Sequence, residues 1–184
     1  MSWLARHRAY AAHADPAAAA ANFIALVIAW NGPFYPLYIV ALAGWPGAQL
    51  LLSMLATPCF FAVPWLGRHY PAAGRAALPL IGTANTLWCT KLLGAACGVG
   101  LFFLPCLVLA ALLFRRRERW IGGIVLVIAL AAFLVPGSRL APILVFAPED
   151  AARLANLNLI SVALLLALIA LQLAGVLAKL DGIR

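Results

Sequence analysis

Long apolar runs, interrupted by glycine, proline and charged residues, set the pattern of this chain. Six of the runs hold about 15 to 23 residues, close to the roughly 20 that an α-helix needs to cross a bilayer. We therefore predict an all-α bundle of six transmembrane helices, at residues 22–43, 49–66, 76–90, 95–114, 120–136 and 156–178. The third run is the weakest, because it is short and contains Gly82, Asn85 and Thr86, and it also suits a re-entrant or broken segment.

The distribution of Lys and Arg predicts the orientation of these spans. With the N-terminus in the cytoplasm, three of the 13 basic residues (Lys91, Arg139 and Arg153) lie outside, which leaves ten inside. Cytoplasmic loops are enriched in Lys and Arg, so this asymmetry favours six spans with both termini in the cytoplasm. Without the third span the two termini would lie on opposite sides. The arginine cluster at 115–119 fits a cytoplasmic turn, although it also suits anionic lipid or a partner protein.

The composition is typical of an integral membrane protein. Hydrophobic residues make up 66% of the chain and charged residues 10%, against roughly 45–50% and 25% in soluble domains, and the mean hydropathy is +1.04. Six spans leave no room for a soluble domain of the usual size, so residues 1–184 are expected to form a single transmembrane domain. The net charge of +8 follows from the membrane orientation, and no nucleic-acid partner is expected. The first apolar run is too long for a signal peptide and is expected to be retained.

The first predicted span contains an unusually polar stretch, WNGPFYPLY, at residues 30–38. Asn31, Tyr35 and Tyr38 are spaced so that they share one helical face. Pro33 and Pro36 remove backbone donors and are expected to kink the helix. Backbone groups freed in this way must find partners or water, so this face should point into the bundle.

Polar side chains of the third and sixth spans fall at the same predicted depth, in the half of the membrane away from the cytoplasm. A few polar groups among apolar walls are typical of a small-molecule site. The predicted ligand-binding residues are Asn31, Tyr35, Tyr38, Asn85, Thr86, Cys89, Asn158 and Ser161. Helix packing is the alternative, because polar residues also join membrane helices by hydrogen bonds, and Gly94 with Gly98 forms a GxxxG pair.

Catalytic chemistry finds no support in the predicted spans. None of them contains Asp, Glu or His, so an intramembrane acid–base pair or histidine ligand is not expected. The four cysteines, Cys59, Cys89, Cys97 and Cys106, show no CxxC spacing and are interpreted as small buried hydrophobes. We therefore expect no enzyme activity, no metal and no cofactor.

Two stretches carry a family resemblance: GTANTLWCTKLLGAACGVGLFFLPCLVLAALLFRRRERW at 82–120 and LANLNLISVALL at 154–165. They resemble the six-helix membrane domains at the N-termini of bacterial class III adenylate cyclases and hybrid histidine kinases. The kinked aromatic first span, preceded by RHRAY, is similar to the membrane sensor half of quorum-sensing histidine kinases. The resemblance implies a multi-pass receptor of the bacterial inner membrane. Its small-molecule or lipid-like ligand would shift the sixth helix and regulate a cytoplasmic cyclase or kinase output.

The last predicted helix ends at LAKLDGIR instead of running on into a coiled or catalytic region as in that family. We expect either a membrane domain of a longer protein or a stand-alone relative that signals through a partner protein, and the family implies a homodimer. The main alternative function is a structural or accessory subunit of a larger membrane complex. That alternative predicts polar faces filled by neighbouring helices, with no cavity. A small transporter is disfavoured by the apolar cytoplasmic halves of the fourth and sixth spans.

Overall fold

A computed structural model describes residues 3–134 and 141–181, and the regular elements of this part of the chain are all helices, with no β-strand. The all-α prediction is confirmed. Short 3₁₀ segments at 32–34, 48–54, 95–97, 99–102 and 116–118 connect or extend the α-helices. The α-helices are α1 (Trp3–Ala11), α2 (Pro16–Asn31), α3 (Tyr35–Ala43), α4 (Thr57–His69), α5 (Pro71–Leu93), α6 (Phe103–Leu112), α7 (Arg119–Leu134) and α8 (Pro148–Asp181).

Three helical segments of the described chain are long and apolar enough to cross a membrane: Pro16–Ala43, Ala48–His69 and Pro148–Ala178. Two further segments, Val99–Leu112 and Arg116–Leu134, are long and apolar enough only when taken together, and they are bent by 117° relative to each other. Helix α5 has 23 residues, which is long enough at about 1.5 Å per residue, but its polar residues lower its hydropathy. The helices thus match the six predicted spans in position, whereas six membrane crossings and their orientation stay predictions.

The third apolar run forms one continuous helix. Helix α5 runs unbroken from Pro71 to Leu93, and it packs against α2, α4, α6 and α7. The broken alternative for this run is therefore wrong, whereas its crossing of the membrane stays a prediction. Pro71 stands at the first turn, where its missing N–H has no helical partner to lose. Residues 135–136 of the fifth predicted span, and Arg139 beyond them, lie outside the described residues.

The first predicted span bends at its prolines, as the sequence indicates. Helix α2 ends at Asn31, a 3₁₀ turn covers Gly32–Phe34, and α3 begins at Tyr35. Pro33 and Pro36 cannot donate to the preceding turn, which explains the change of helix type. The turn leans on α4, because a Cβ at Gly32 would overlap the hydroxyl of Thr57.

The fourth predicted span is helical only in part. Gly94 and Gly98 have φ angles of +89° and +73°, so they stand in turns, and the α-helix begins only at Phe103. The expected GxxxG helix pair is therefore wrong. Gly98 still makes a close approach, because a Cβ there would lie 3.1 Å from the Cα of Ala155 in α8. The left-handed backbone and this contact together require glycine.

Two apolar clusters fill the bundle and define its two ends. One cluster includes Ile24, Leu78 and Leu109 and lies toward the end that contains Arg75, here called the Arg75 end. The other includes Leu92 and Leu144 and lies toward the opposite end, here called the Leu144 end.

Residues 141–147, which precede α8 and are here called the strap, lie across the Leu144 end. The backbone N–H groups of Ile143 and Leu144 donate to the carbonyls of Lys91 and Leu92, at 3.0 and 2.8 Å. The Lys91 ammonium donates to the carbonyl of Ala141 at 2.5 Å. Leu144 is only 6% exposed. The strap therefore dips into the bundle at Leu144.

A buried ion-pair network joins three parts of the chain at the Arg75 end. Arg75, expected in a loop, lies in α5 with 1% of its side chain exposed and pairs with both Asp15 and Glu118. Arg115 also contacts Asp15, at 3.0 Å. Burial alone raises the pKa of Asp15, but the hydrogen bond to Arg115 and the charge of Arg75 outweigh it and hold this pKa below its usual value. Asp15 also caps α2, accepting from the N–H of Ala17 at 3.1 Å.

Helix α1 runs back along α2 instead of lying apart from the bundle. The Asn22 amide donates to the carbonyl of Ala11 at 3.2 Å, and the Tyr10 hydroxyl donates to the carbonyl of Phe61 in α4 at 3.0 Å. Arg68 lies over the Tyr10 ring, 4.8 Å from its centroid. The sequence alone gave no sign that this polar helix packs against two apolar ones.

Candidate functional site

A cavity of about 480 Å³ lies in the bundle, lined by residues of α2, α3, α4, α5, α6 and α8. Its volume falls in the range of roughly 300–1,000 Å³ that is usual for small-molecule sites. The wall is mostly aliphatic and aromatic. Among the described residues, no Asp, Glu, His, Lys or Arg lines it. The cavity is therefore apolar, with a small number of uncharged polar groups.

The structure brings the residues predicted from sequence together at this cavity. All of them except Asn158 line its wall, although they come from three separate stretches of the chain. Whether they hold a ligand stays a prediction. The lining residues predicted from sequence are Asn31, Tyr35, Tyr38, Asn85, Thr86, Cys89 and Ser161.

Asn158 lies behind the wall and not on it. Its side chain is fully buried, at 0% exposure. The amide oxygen accepts from the hydroxyl of Tyr35 at 3.0 Å, and the amide nitrogen donates to the carbonyl of Cys97 at 2.7 Å. Asn158 thus positions Tyr35 and ties α8 both to α3 and to the turn before α6, so direct contact with a ligand is not supported by its place.

Three hydroxyls on the wall already donate hydrogen bonds within the protein. The hydroxyls of Thr86 and Ser161 donate to the carbonyls of Gly82 and Leu157, each at 2.8 Å. The Tyr35 hydroxyl donates to Asn158. A hydroxyl that donates can still accept, because its oxygen keeps lone pairs. These three hydroxyls therefore offer a ligand acceptors, whereas the amide of Asn85 and the hydroxyl of Ser53 can also donate.

Ser53 is a lining residue that sequence reasoning missed. It is 8% exposed, and its hydroxyl has no hydrogen-bond partner among the described residues. It stands in the 3₁₀ segment Ala48–Met54, which a bond from the Trp88 indole to the carbonyl of Leu52 holds against α5 at 2.9 Å. The one usable signal was the spacing of Ser53 and Thr57, which places two hydroxyls one helical turn apart in an apolar run.

The polarity of the wall changes along the cavity. Ser53, Thr86 and Cys89 lie toward the Leu144 end, whereas Leu78 and Leu109 line the part nearer the Arg75 end. A ligand with one polar end and one apolar end would therefore match both parts of the wall.

Among the described residues, no group of three His, Cys, Asp or Glu could hold a metal. Comparisons of the chain with protein-family models, curated proteins and solved structures find no match.

Proposed function

We propose that the protein is a six-helix receptor of the bacterial inner membrane that binds a small apolar or amphiphilic ligand in this cavity. Both termini would lie in the cytoplasm, with the Arg75 end inside and the Leu144 end outside. The observation that carries the proposal is the cavity itself, with polar groups from four segments on an otherwise apolar wall. A purely structural subunit would fill such polar faces with neighbouring helices.

The ligand of such a site would be uncharged. Moving an ion into an apolar cavity without a counter-charge costs several kcal/mol, more than a few neutral hydrogen bonds return. Neutral hydroxyl, carbonyl or amide groups could bond to Asn85 and Ser53 at the more polar end. A hydrocarbon chain or ring would then lie against Leu78 and Leu109 at the apolar end. A neutral amphiphile therefore fits the whole cavity.

The route to the cytoplasm would run through Tyr35 and Asn158. Tyr35 lies on the cavity wall just after the kink, and its hydroxyl bonds to Asn158 of α8. A ligand that moves Tyr35 would change this contact and favour one position of α8 over another. Helix α8 has 34 residues, about 51 Å at 1.5 Å per residue, which exceeds the roughly 30 Å hydrocarbon core. A shift of α8 would reach the cytoplasm.

The output would be a cyclase or kinase domain, or a separate signalling protein, that responds to α8. This part of the proposal rests on the resemblance of 82–120 and 154–165 to the membrane domains of cyclases and histidine kinases. The same resemblance favours a homodimer.

Thermal unfolding with neutral and charged probes tests the site. The purified protein in detergent would be heated with 1-decanol, 2-decanone, decanamide, decanoate or decylamine. We expect at least one neutral probe to raise the melting temperature, because a ligand at 100 times its Kd stabilises by about 2.7 kcal/mol. The two ionised probes should leave it unchanged.

Two variants and a matched control locate the effect. Asn85→Ala and Tyr35→Phe should lose most of the stabilisation by the neutral probe. Asn156→Ala, at an exposed asparagine that does not line the cavity, should keep it. Stabilisation by none of the five probes, or an undiminished response in both cavity variants, would show that the cavity is not the binding site.

A further inference from the structure

Both ends of the cavity are closed by protein. At the Leu144 end, the strap is bonded to Lys91 and Leu92, and a cluster of buried side chains that includes Ile39 and Leu154 lies beneath it. At the Arg75 end, the cluster around Ile24 fills the bundle. Within residues 3–134 and 141–181, neither end leaves an open path from water to the polar groups of the wall.

The exposed part of the wall lies on one side of the bundle. Among the lining residues, the exposed side chains belong only to the α2–α3 segment and to α8. Val27 and Tyr38 are 38% and 41% exposed, and Ile160 and Leu164 are 59% and 67% exposed. Every lining residue of α4, α5 and α6 is buried or half-buried. The cavity therefore opens sideways, between the first and last long helices.

The kink produces this opening. Helix α8 packs against α2 on one side of the kink and against α3 on the other. Between them, the 3₁₀ turn Gly32–Phe34 leans toward Thr57 of α4. The chain thus bends away from α8 at the level of the cavity and leaves a gap, here called the lateral gap, edged by Val27, Ile160 and Leu164.

We propose that the ligand reaches the cavity sideways from the hydrocarbon of the bilayer, through the lateral gap, and is therefore a membrane-dissolved neutral amphiphile. This inference rests on the proposed function. The side chains at the edge of the gap are mostly aliphatic and exposed, so in a membrane they face acyl chains and not water. A ligand that partitions into lipid meets the gap at high local concentration, whereas a water-soluble one would have to cross the strap.

Time-resolved photolabelling tests the route with a defined probe. The protein in phospholipid nanodiscs would be mixed with a ten-carbon primary alcohol that carries a diazirine. The mixture would then be irradiated with a short pulse of ultraviolet light after increasing delays. Peptides from α5 report the cavity, and peptides from the exposed face of α7 report contact with lipid. Leu164→Trp and Val27→Trp narrow the gap. Leu171→Trp, at a 71% exposed position of α8 that does not line the cavity, is the matched control.

We expect both gap variants to slow the labelling of α5 at least tenfold while the final extent and the labelling of α7 stay unchanged. The Leu171→Trp control should label at the wild-type rate, and so should Leu144→Ala, which loosens the strap. Wild-type rates in both gap variants, or faster labelling in Leu144→Ala, would refute lateral access while leaving the cavity site intact. A reduced final extent in both gap variants would also refute it, because the side chains would then occupy the site. Absence of α5 labelling in the wild type would instead refute the proposed function.

Discussion

Replacement of Arg75 by methionine should weaken the Arg75 end of the bundle strongly. The buried guanidinium bridges Asp15 before α2 and Glu118 before α7, so Arg75→Met leaves two carboxylates without their shared partner. Removing one member of a buried ion pair costs about 3–5 kcal/mol. Asp15 would keep Arg115, and Glu118 is already 24% exposed. We therefore expect a loss near the lower limit, about 3 kcal/mol.

Buried cysteines make this loss measurable in detergent. The interpretation of all four cysteines as buried is wrong for Cys59, which is exposed, whereas Cys89, Cys97 and Cys106 are buried. In a Cys59→Ser background, a fluorogenic thiol reagent would therefore report unfolding. A loss of about 3 kcal/mol corresponds to a melting temperature lower by about 6–12 °C for a chain of this length.

Variants of the neighbouring charged residues distinguish the stability contributed by the buried network from that contributed by exposed charge. Arg115→Met removes a side chain that is 61% exposed, so it should cost at most about 1 kcal/mol. Asp15→Asn keeps the cap of α2, because Asn caps helices as well as Asp, and removes only the charge. A melting temperature of Arg75→Met within 2 °C of the wild type, or an equal loss in Arg115→Met, would refute the reasoning.

The same network predicts a pH dependence. The pKa of Asp15 lies below its unfolded value, so its ionised form contributes stability that is complete above the unfolded pKa near 4. This stability is lost as the pH falls through the lower, folded pKa. The wild type should therefore lose more stability than Asp15→Asn between pH 5 and the acid limit of the assay, about pH 3. Equal losses would contradict the depressed pKa.

Two further comparisons use the same thermal assay. Asn158→Leu should lower the stability by about 1–3 kcal/mol, because it leaves the Tyr35 hydroxyl and a carbonyl without their partner. Tyr35→Phe should lower it less, and the opposite order would contradict the positioning role of Asn158. Gly98→Ala should destabilise, because φ is +73° and a Cβ would press on Ala155. Gly123→Ala is its control, since the space there is open and alanine favours the helix of α7 by up to about 1 kcal/mol. Similar melting temperatures for the two alanine variants would contradict this account of Gly98.

The features that the sequence predicted are those that follow from the apolar environment of the membrane and from local spacing. A polar group in hydrocarbon must find a partner, so a helical face with Asn31, Tyr35 and Tyr38 was expected to turn inward. The structure places all three on the cavity wall, but only Tyr35 is half-buried, whereas Asn31 and Tyr38 are exposed. Apolar length predicted where the helices lie. Proline chemistry predicted the kink after Asn31. These features depend on local spacing, which a sequence displays directly.

The features that the sequence did not predict depend on distant pairing or on backbone conformation. Arg75 lies 60 and 43 residues from its two acidic partners, and nothing in its local sequence distinguishes a loop arginine from a buried one. Gly94 and Gly98 fit a helical GxxxG spacing, although both adopt positive φ. Asn158 has the composition of a ligand contact, but its partners are Tyr35 and a carbonyl.

Without a ligand, this cavity would cost free energy whether it holds water or is dry. Water inside it would lie against a mainly apolar wall, whereas a dry cavity would leave the hydroxyl of Ser53 without a partner, at about 1–3 kcal/mol. A neutral amphiphile removes both costs, because its chain covers the apolar wall and its polar group bonds to the hydroxyl. If the lateral gap connects the cavity to the bilayer, membrane components with a neutral head and a short chain compete for the same space. The occupancy that α8 responds to would then depend on lipid composition as well as on any dedicated ligand.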